Sequence, residues 1–382
     1  MDYATLKAFK PGEFEEAAAG YRTMGTAAQA AKEHIENTVA TGMRAALKGE
    51  AADAAQRQLQ AVAKNFHYIQ TECGVIGTAL SGFAYDMAAA QRKLEAAVED
   101  AGADGCTVNG DGSVDYPAGR KPGEEKDAAG GAVTGSAGGN ATSDALERQA
   151  ANIHPNPNPN PNFGKAVGYA NRNAEAVREA TDADTKWEPK IRSLQADDDL
   201  TVSDRDWTDV TSDTAGVRES AGGYLGTIKP PPANDWPQDN ANWWNGLSLE
   251  QREAYVSMHP ASIGALDGLP SAVRDDANRI VLAEQRAARQ LDYDAWLTKE
   301  PQHFKPYITP VTGREVKGAT VPTDEWTAWE EKRKQLENGW PTRRRSRWGT
   351  SSRASREPIT ARAGCTRRSS ATATGPWWRA KR

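Results

Sequence analysis

Residues 59–97 decide the fold: LQAVAKNFHYIQTECGVIGTALSGFAYDMAAAQRKLEAA. Apolar side chains recur there at alternating steps of three and four, the spacing of a long helix that packs against a partner helix. The members of this stripe are Leu59, Val62, Phe66, Ile69, Cys73, Ile76, Leu80, Phe83, Met87, Ala90, Leu94 and Ala97. Because Cys73 lies inside the stripe, we expect it to be a small core residue rather than a reactive thiol.

The preceding residues predict the partner helix. Their apolar positions at the same spacing are Phe14, Ala17, Tyr21, Met24, Ala28, Ala31, Ile35, Val39, Met43 and Ala46. Gly49 separates the two patterns, and glycine suits the left-handed residue that ends many helices. We therefore expect residues 1–103 to form a long antiparallel helical hairpin in a mainly α chain, with both stripes inside residues 12–101.

Residues 104–162 are expected to form a β-turn and a flexible linker. Residues Thr107–Tyr116 contain Asn-Gly and Asp-Gly at their centre, which predicts two short strands joined by a tight turn. The same stretch resembles a calcium loop, but Arg120 occupies the position where such loops have glutamate. Residues 117–142 are rich in glycine and alanine, which indicates flexibility, and the Pro-Asn repeat at 154–162 predicts an extended spacer.

Residues 163–230 are expected to be helical. One helix is predicted at 163–195, bent or broken near Pro189 because proline removes a backbone donor. A second is predicted at 203–220, where Ser203 and Asp206 have the spacing of a capping box.

Residues 243–291 contain the most specific pattern in the chain. Ser248 and Gln251 predict a capping box for a helix that ends near Met258, and Pro260 follows it. Gly268–Pro270 predicts a rigid turn before a helix that begins at Ser271. The remaining members of the pattern are Trp243, Trp244, His259, Ile263, Gly264, Asp267, Arg274, Asp275, Asn278 and Arg279. Arg274, Asp275 and Asn278 are expected to share one helix face.

This order of residues resembles the lead-in segment of an actinobacterial α/β-hydrolase family of unknown function. The resemblance covers residues 240–339, and the helical N-terminal half is similar to the extension of many members. It implies that 231–339 is the N-terminal lead-in of an α/β-hydrolase domain, that a parallel sheet with a serine nucleophile follows, and that the family cleaves ester or amide bonds.

The chain lacks the catalytic pattern that this resemblance implies. A nucleophile elbow requires Gly-x-Ser-x-Gly, and no such pentapeptide occurs in the 382 residues. Ser248 follows Gly246 by two positions but lacks the second glycine, so a capping role fits it better. His259 and His303 have no serine and acid in a recognisable order. We assign no catalytic, cofactor-binding or metal-binding residue, and we expect a truncated, inactive family member whose apolar Trp243, Trp244, Leu266, Leu269 and Ile280 are partly exposed.

The chemistry of the chain changes at Gly339. Residues 1–339 have 35 lysines and arginines against 51 acidic residues, a net charge of −16, whereas residues 340–382 have 12 against the single acid Glu357, a net charge of +11. Translation one base earlier permits Leu-Ala-Asp-Thr-Ala-Ala-Ile-Gln in place of Trp340–Arg347, which would continue a helix. We expect either a reading-frame error or a disordered basic tail at 340–382.

The hairpin also resembles the Trp-X-Gly family of type VII secretion substrates. The matching turn is Leu47-Lys48-Gly49, with leucine in place of the signature tryptophan, and Tyr85 is followed four residues later by Ala89 instead of an acid. The resemblance implies a small helical-hairpin protein as a partner for residues 12–101 and an export route without a cleavable signal. The N-terminus has no Sec-type signal, so we expect a chain made in the cytoplasm.

Three functions therefore compete. The first is an inactive relative of a serine hydrolase family, and the second is a type VII-linked interaction or effector protein that works through the hairpin. The third is a protein that binds nucleic acid or an anionic surface through a genuine arginine-rich tail, in which Trp340, Trp348, Trp377 and Trp378 would stack on bases. Three separated cysteines and five scattered histidines give neither a disulfide framework nor a metal motif. No run approaches the ~20 apolar residues of a membrane span.

Overall fold

The computed structural model describes residues 1–120, 125–137, 160–194, 202–233 and 236–338. The described residues divide into two compact units, one within residues 1–298 and one within residues 299–338. The fold is mainly α, as the sequence predicts. The predicted basic tail at 340–382 and most of the Pro-Asn repeat lie outside the described residues. None of the helices in these ranges combines the length and apolar character that a membrane span requires.

The first unit is a helical assembly around one long central helix. Its helices are α1 (Tyr3–Ala8), α2 (Pro11–His34), a π-helical turn (Ile35–Val39), α3 (Ala40–Ala46), α4 (Glu50–Ala103), α5 (Phe163–Ser193), α6 (Asp204–Ser220), α7 (Gly222–Leu225), α8 (Pro237–Gly246), α9 (Leu249–Met258), α10 (Pro260–Ala265) and α11 (Ser271–Leu297). At 1.5 Å per residue, α4 is about 80 Å long, and α2 and α5 pack along it.

The stripe predicted on α4 forms the core of this unit. Leu80, Phe83, Met87 and Leu94 are buried, and Phe83 meets Phe9 and Phe14 with ring centroids 5.8 and 4.9 Å away. Between residues 71 and 84 most of the helix surface is buried, because helices cover α4 from several sides there.

The stripe predicted on the first hairpin helix is inward only in part: Phe14 packs against the core and Ala28 is buried. Tyr21 and Met24 are exposed, whereas Ala18, Gly25 and Lys32 are buried. The small residues allow close approach: a Cβ on Gly25 would lie 3.3 Å from the Cβ of Cys73. Close backbone packing and charge pairing, rather than the hydropathy of its side chains, therefore determine which face of α2 points toward α4.

Gly49 has a positive φ of 96°, as a glycine position requires, but it serves as the N-cap of α4. Its ψ of 176° lies outside the left-handed helical region that a C-cap adopts. The expected C-cap is therefore corrected to a turn residue that begins the second helix.

The turn after α4 is confirmed and extended by a third strand. Strands β1 (Thr107–Val108) and β2 (Val114–Tyr116) are antiparallel, and β3 (Gly131–Val133) pairs with β2. The expectation that 117–142 is entirely linker is wrong for β3. The end of the Pro-Asn repeat is also an anchor rather than a spacer, because the buried Asn160 side chain donates hydrogen bonds to backbone oxygens of Pro117 and Ala129.

Helix α5 continues through Pro189 to Ser193, so the chain is not broken there. Its Trp187 is fully buried and donates its indole N–H to Asp86 Oδ2 at 2.8 Å. A Cβ on Gly82 would lie 2.7 Å from the Trp187 ring. Glycine on α4 therefore makes the space that this tryptophan occupies.

The second unit is described over residues 299–338. Strands β4 (Phe304–Ile308) and β5 (Glu315–Pro322) form an antiparallel hairpin, and α12 (Asp324–Asn338) follows. Thr323 Oγ1 accepts a hydrogen bond from Trp326 N at 3.0 Å at the start of this helix. Apolar side chains on the hairpin are exposed, with Val311 91% and Ile308 58% accessible.

Candidate binding site between the hairpin and residues 237–297

The segment 237–297 folds locally as its sequence predicts. Ser248 caps α9 in a capping box with Gln251, and α11 begins at Ser271. Pro260 ends α9 but also begins the short helix α10. Gly268 has a φ of 93°, and a Cβ there would lie 1.9 Å from the backbone oxygen of Pro237, so only glycine fits this turn.

The apolar residues of this segment are buried, which corrects the expected exposure. Trp243 and Trp244 are 5% and 4% exposed, and Leu269 and Ile280 are also buried, while Leu266 is partly buried. The Trp243 indole donates to the backbone oxygen of Lys229 at 2.9 Å. The segment buries these side chains within its own cluster and against the long hairpin, so it needs no further sheet to cover them.

Helix α9 crosses the hairpin where α4 has a small residue. A Cβ on Gly74 would lie 3.2 Å from the Cβ of Ser257. This close approach places the α9 face that carries Glu250 and Glu253 opposite α2.

Three charged side chains of the hairpin pair with this segment. Arg22 hydrogen-bonds Ser81 on α4 and lies 3.5 Å from Glu250 Oε1. Lys32, only 2% exposed, forms a buried ion pair with Asp276. Polar residues on the buried side of α2 therefore have specific partners more than 200 positions away, which explains why an apolar pattern does not locate that face.

The third pair involves the π-helical turn. Glu36 accepts two hydrogen bonds from the Arg279 guanidinium, at 2.7 and 3.1 Å, and Arg279 also donates to Asp275 at 2.8 Å. Of the residues expected to share one face of α11, Arg274 pairs with Asp267 and Asn278 donates to the backbone oxygen of Gly264. These contacts hold α11 against its own turn and against the hairpin.

A cavity of about 310 Å³ lies between the hairpin helices and this segment. Its apolar lining consists of Trp244, Leu249, Val256, Pro270, Val273 and Ile280. Its charged lining consists of Arg22, Arg252, Glu253 and Asp276. An apolar cavity with a few polar groups is typical of small-molecule sites, which begin at roughly 300 Å³.

Glu253 is the acid in this lining whose charge is least compensated. Its Oε1 accepts a weak hydrogen bond from Thr26 at 3.5 Å, and its Oε2 has no hydrogen-bond partner. Arg22 Nε lies 3.9 Å from that oxygen, which is too far for a hydrogen bond. Burial raises the pKa of Glu253 to about 7, against the smaller lowering effect of Arg22.

His67 is a second titratable group near these contacts. It is buried on α4, 5.6 Å from the Trp207 ring. Burial, followed by the charges of Lys32 and Arg279, lowers its pKa to about 3. The imidazole is therefore neutral at neutral pH and packs between helices, with both ring nitrogens buried without a hydrogen-bond partner.

The residues singled out from the sequence are not brought together as a catalytic set. Ser248 acts as a helix cap. The His259 ring is tilted against that of Tyr255 with the centroids 5.9 Å apart, and its pKa is lowered by burial and by Arg218. His303 lies in the second unit and hydrogen-bonds Glu300. Cys73 is buried, which confirms its predicted core position, and burial raises the pKa of its thiol to about 11.

Within the described ranges, no cluster of three or more histidines, cysteines or acids has the arrangement of a metal site. No sequence pattern singles out Arg22, Lys32, Glu253 or Asp276. Charged residues at the buried spacing of α2 were the one available signal, but their partners cannot be paired without the tertiary fold.

No known family profile matches the chain, and no solved structure matches it significantly. Uncharacterized proteins from two strains of Mycobacterium tuberculosis are each 40% identical to it over 53 residues. The matched stretch is 14% of this chain and 8% of each relative. The relatives are therefore longer than this chain, which matches less than a tenth of their length.

Proposed function

We propose that this chain is a non-catalytic relative of the actinobacterial α/β-hydrolase family, in which residues 1–103 form a helical hairpin that binds a partner and residues 231–339 are the N-terminal lead-in of an incomplete hydrolase domain. The observation that carries the proposal is the hairpin of β4 and β5. An isolated two-stranded hairpin is marginally stable in water. Phe304, Tyr307 and Ile308 on its first strand are exposed, as expected of strands that belong to a larger sheet with a further layer over its face.

Two further observations support this proposal. The sequence has no Gly-x-Ser-x-Gly, and Ser248 is occupied as a helix cap. The mycobacterial relatives are longer proteins, as expected if related chains contain a further catalytic part.

The proposal is tested by treating the full chain with a fluorophosphonate serine probe. We expect no labelling, and Ser248→Ala serves as the control that identifies any label on that serine. Stoichiometric labelling of the native chain, lost on denaturation, would show an active nucleophile and refute the proposal.

Resequencing the gene through the codons for Gln335–Arg382 tests the incomplete domain separately. A single inserted or deleted base that restores a frame with Gly-x-Ser-x-Gly would support the proposal that residues 231–339 are the start of a hydrolase domain. A confirmed frame without such a pentapeptide downstream would leave binding as the function and remove the hydrolase relationship.

We also propose, as a second candidate, that the hairpin binds a small helical-hairpin protein, as the type VII resemblance implies. Exposed apolar side chains on the outward side of the first hairpin helix favour this function, with Met24 57% and Tyr21 37% accessible. Isolated exposed apolar residues are common on protein surfaces, so a partner must be tested directly.

Co-expression with a small helical protein encoded nearby tests this second candidate. We expect co-purification that Met24→Glu abolishes. Leu282→Glu is the matched control, because Leu282 is also exposed, at 48%, on a helix of the same unit. Equal loss with both variants, or retention with Met24→Glu, would remove this face as the docking surface.

A further inference from the structure

The cavity between the hairpin and residues 237–297 is lined by Glu253, whose Oε2 is buried beside it without a hydrogen-bond donor. Its other charged groups have partners. Asp276 is paired with Lys32, and Arg252 donates to the backbone oxygens of Trp244 and Asn245 at 2.9 and 3.0 Å.

The Arg22 guanidinium is also committed elsewhere. It hydrogen-bonds Ser81, which in turn donates to Glu15 Oε2 at 2.8 Å. It also lies near Glu250. Arg22 Nε lies 3.9 Å from Glu253 Oε2, too far for a hydrogen bond, so this oxygen is left as an acceptor without a hydrogen bond.

We propose that this cavity binds a small amphipathic cation, a primary ammonium with an apolar body, whose ammonium donates to Glu253 and whose body lies against Trp244, Val273 and Ile280. An ammonium supplies the hydrogen bonds that Glu253 Oε2 lacks and adds a positive charge to that of Arg22, whose Nε lies 3.9 Å from this oxygen. The volume of about 310 Å³ suits a body of one ring or a short alkyl chain. This site does not depend on the hydrolase relationship.

The charges around Glu253 define how binding depends on pH. Arg22 faces it from α2, and Glu250 and Arg252 lie beside it on α9. From α11, Asp276 lines the same cavity, whereas α4 contributes uncharged Gln70, Thr71 and Gly74.

Since the pKa of Glu253 is about 7, the carboxylate fraction rises about tenfold between pH 6 and pH 8. An alkylammonium keeps its charge over that range, like lysine. Affinity for the cation is therefore expected to rise by about tenfold, whereas affinity for an uncharged analogue is not.

The experiment is calorimetric titration of the full chain with 2-phenylethylammonium near pH 6 and near pH 8. The uncharged analogue 2-phenylethanol and the anion 3-phenylpropionate are titrated in parallel. We expect the cation to bind more tightly than either the alcohol or the anion. Glu253→Gln should weaken binding of the cation at least about tenfold near pH 8 and remove the pH dependence of its affinity.

Two further variants make the result specific. Glu16→Gln, at an exposed acid on α2, is the matched charge control and is expected to bind as the native chain does. Val273→Phe fills the cavity and is expected to abolish binding, with folding checked by far-UV circular dichroism.

Several outcomes would overturn the proposal. Equal binding of the alcohol and the cation would show an unselective apolar cavity. Tighter binding of the anion would make Arg22 or Arg252 the recognition group. Cation binding that survives Glu253→Gln, or no detectable binding of any probe, would equally reject it. None of these outcomes bears on serine-probe labelling, so the two proposals fail separately.

Discussion

Replacement of Glu253 by glutamine is expected to stabilise the unliganded chain above neutral pH. Burial raises the pKa of Glu253 from 4.5 to about 7, so folding favours its protonated form. The native state then binds more protons than the unfolded state between those pKa values. The contribution of protonated Glu253 to the free energy of unfolding is fully present below pH 4.5 and is lost as the pH rises through about 7.

The magnitude follows from the shift and from the exposure of the group. A shift of this size corresponds to about 3 kcal/mol. The side chain is 24% exposed, and solvent screening lowers the expected effect to about 1–2 kcal/mol. Glutamine has nearly the same shape and no charge, so it mimics the protonated acid at every pH.

The assay is urea unfolding followed by far-UV circular dichroism near pH 5 and near pH 8. We expect Glu253→Gln to leave the free energy of unfolding nearly unchanged at the lower pH. At the higher pH it should raise that free energy by about 1–2 kcal/mol. Glu16→Gln is the control, because that acid is exposed. A variant that is destabilised equally at both pH values would show that Glu253 is held as a paired carboxylate and would refute this account of its burial.

Four other perturbations test the packing of the helical unit. Trp187→Ala should lower the free energy of unfolding by about 3–5 kcal/mol in urea titrations, because the ring is fully buried and a cavity would remain. Lys32→Met should lower the free energy of unfolding by about 3–5 kcal/mol, because it leaves Asp276 buried without its partner. A double variant with Asp276→Leu should recover most of that loss. A double variant as unstable as the single one would show that the pair is not the cause. His67 has its pKa lowered from 6.5 to about 3, so its stability contribution is present above pH 6.5 and lost as the pH falls toward 3; His67→Leu should reduce this acid-side loss by roughly 2–4 kcal/mol, measured by unfolding at a series of pH values. Ser248→Ala should cost about 1 kcal/mol through loss of the cap of α9, and an unchanged thermal midpoint would show that the cap is dispensable.

Features set by neighbouring residues were predictable from the sequence. The capping boxes at Ser203 and Ser248 are present, because a cap depends on residues three positions apart. The tight turn before Val114 and the helix from Ser271 follow from equally local rules. The apolar stripe of α4 was also identifiable, since its spacing continues over more than five heptads.

The orientation of α2 and the burial of the two tryptophans were decided by tertiary structure. The sequence pattern predicts that Met24 is buried and assigns no role to Arg22 or Lys32. In the structure Met24 is exposed, whereas the side chains of Arg22 and Lys32 are largely buried and paired with acids. Periodicity reports which side chains are apolar, but it does not report which distant acids compensate a buried cation.

The candidate site has the same origin. By itself, the sequence determined a mainly α chain, the existence of its long helices and the places where several of them begin. The cavity, the uncompensated Glu253 and the cover over Trp243 and Trp244 exist because α9 and α11 pack on a hairpin that lies some 200 residues earlier in the chain. Contacts between such distant positions depend on how the helices cross, and no local pattern encodes that geometry.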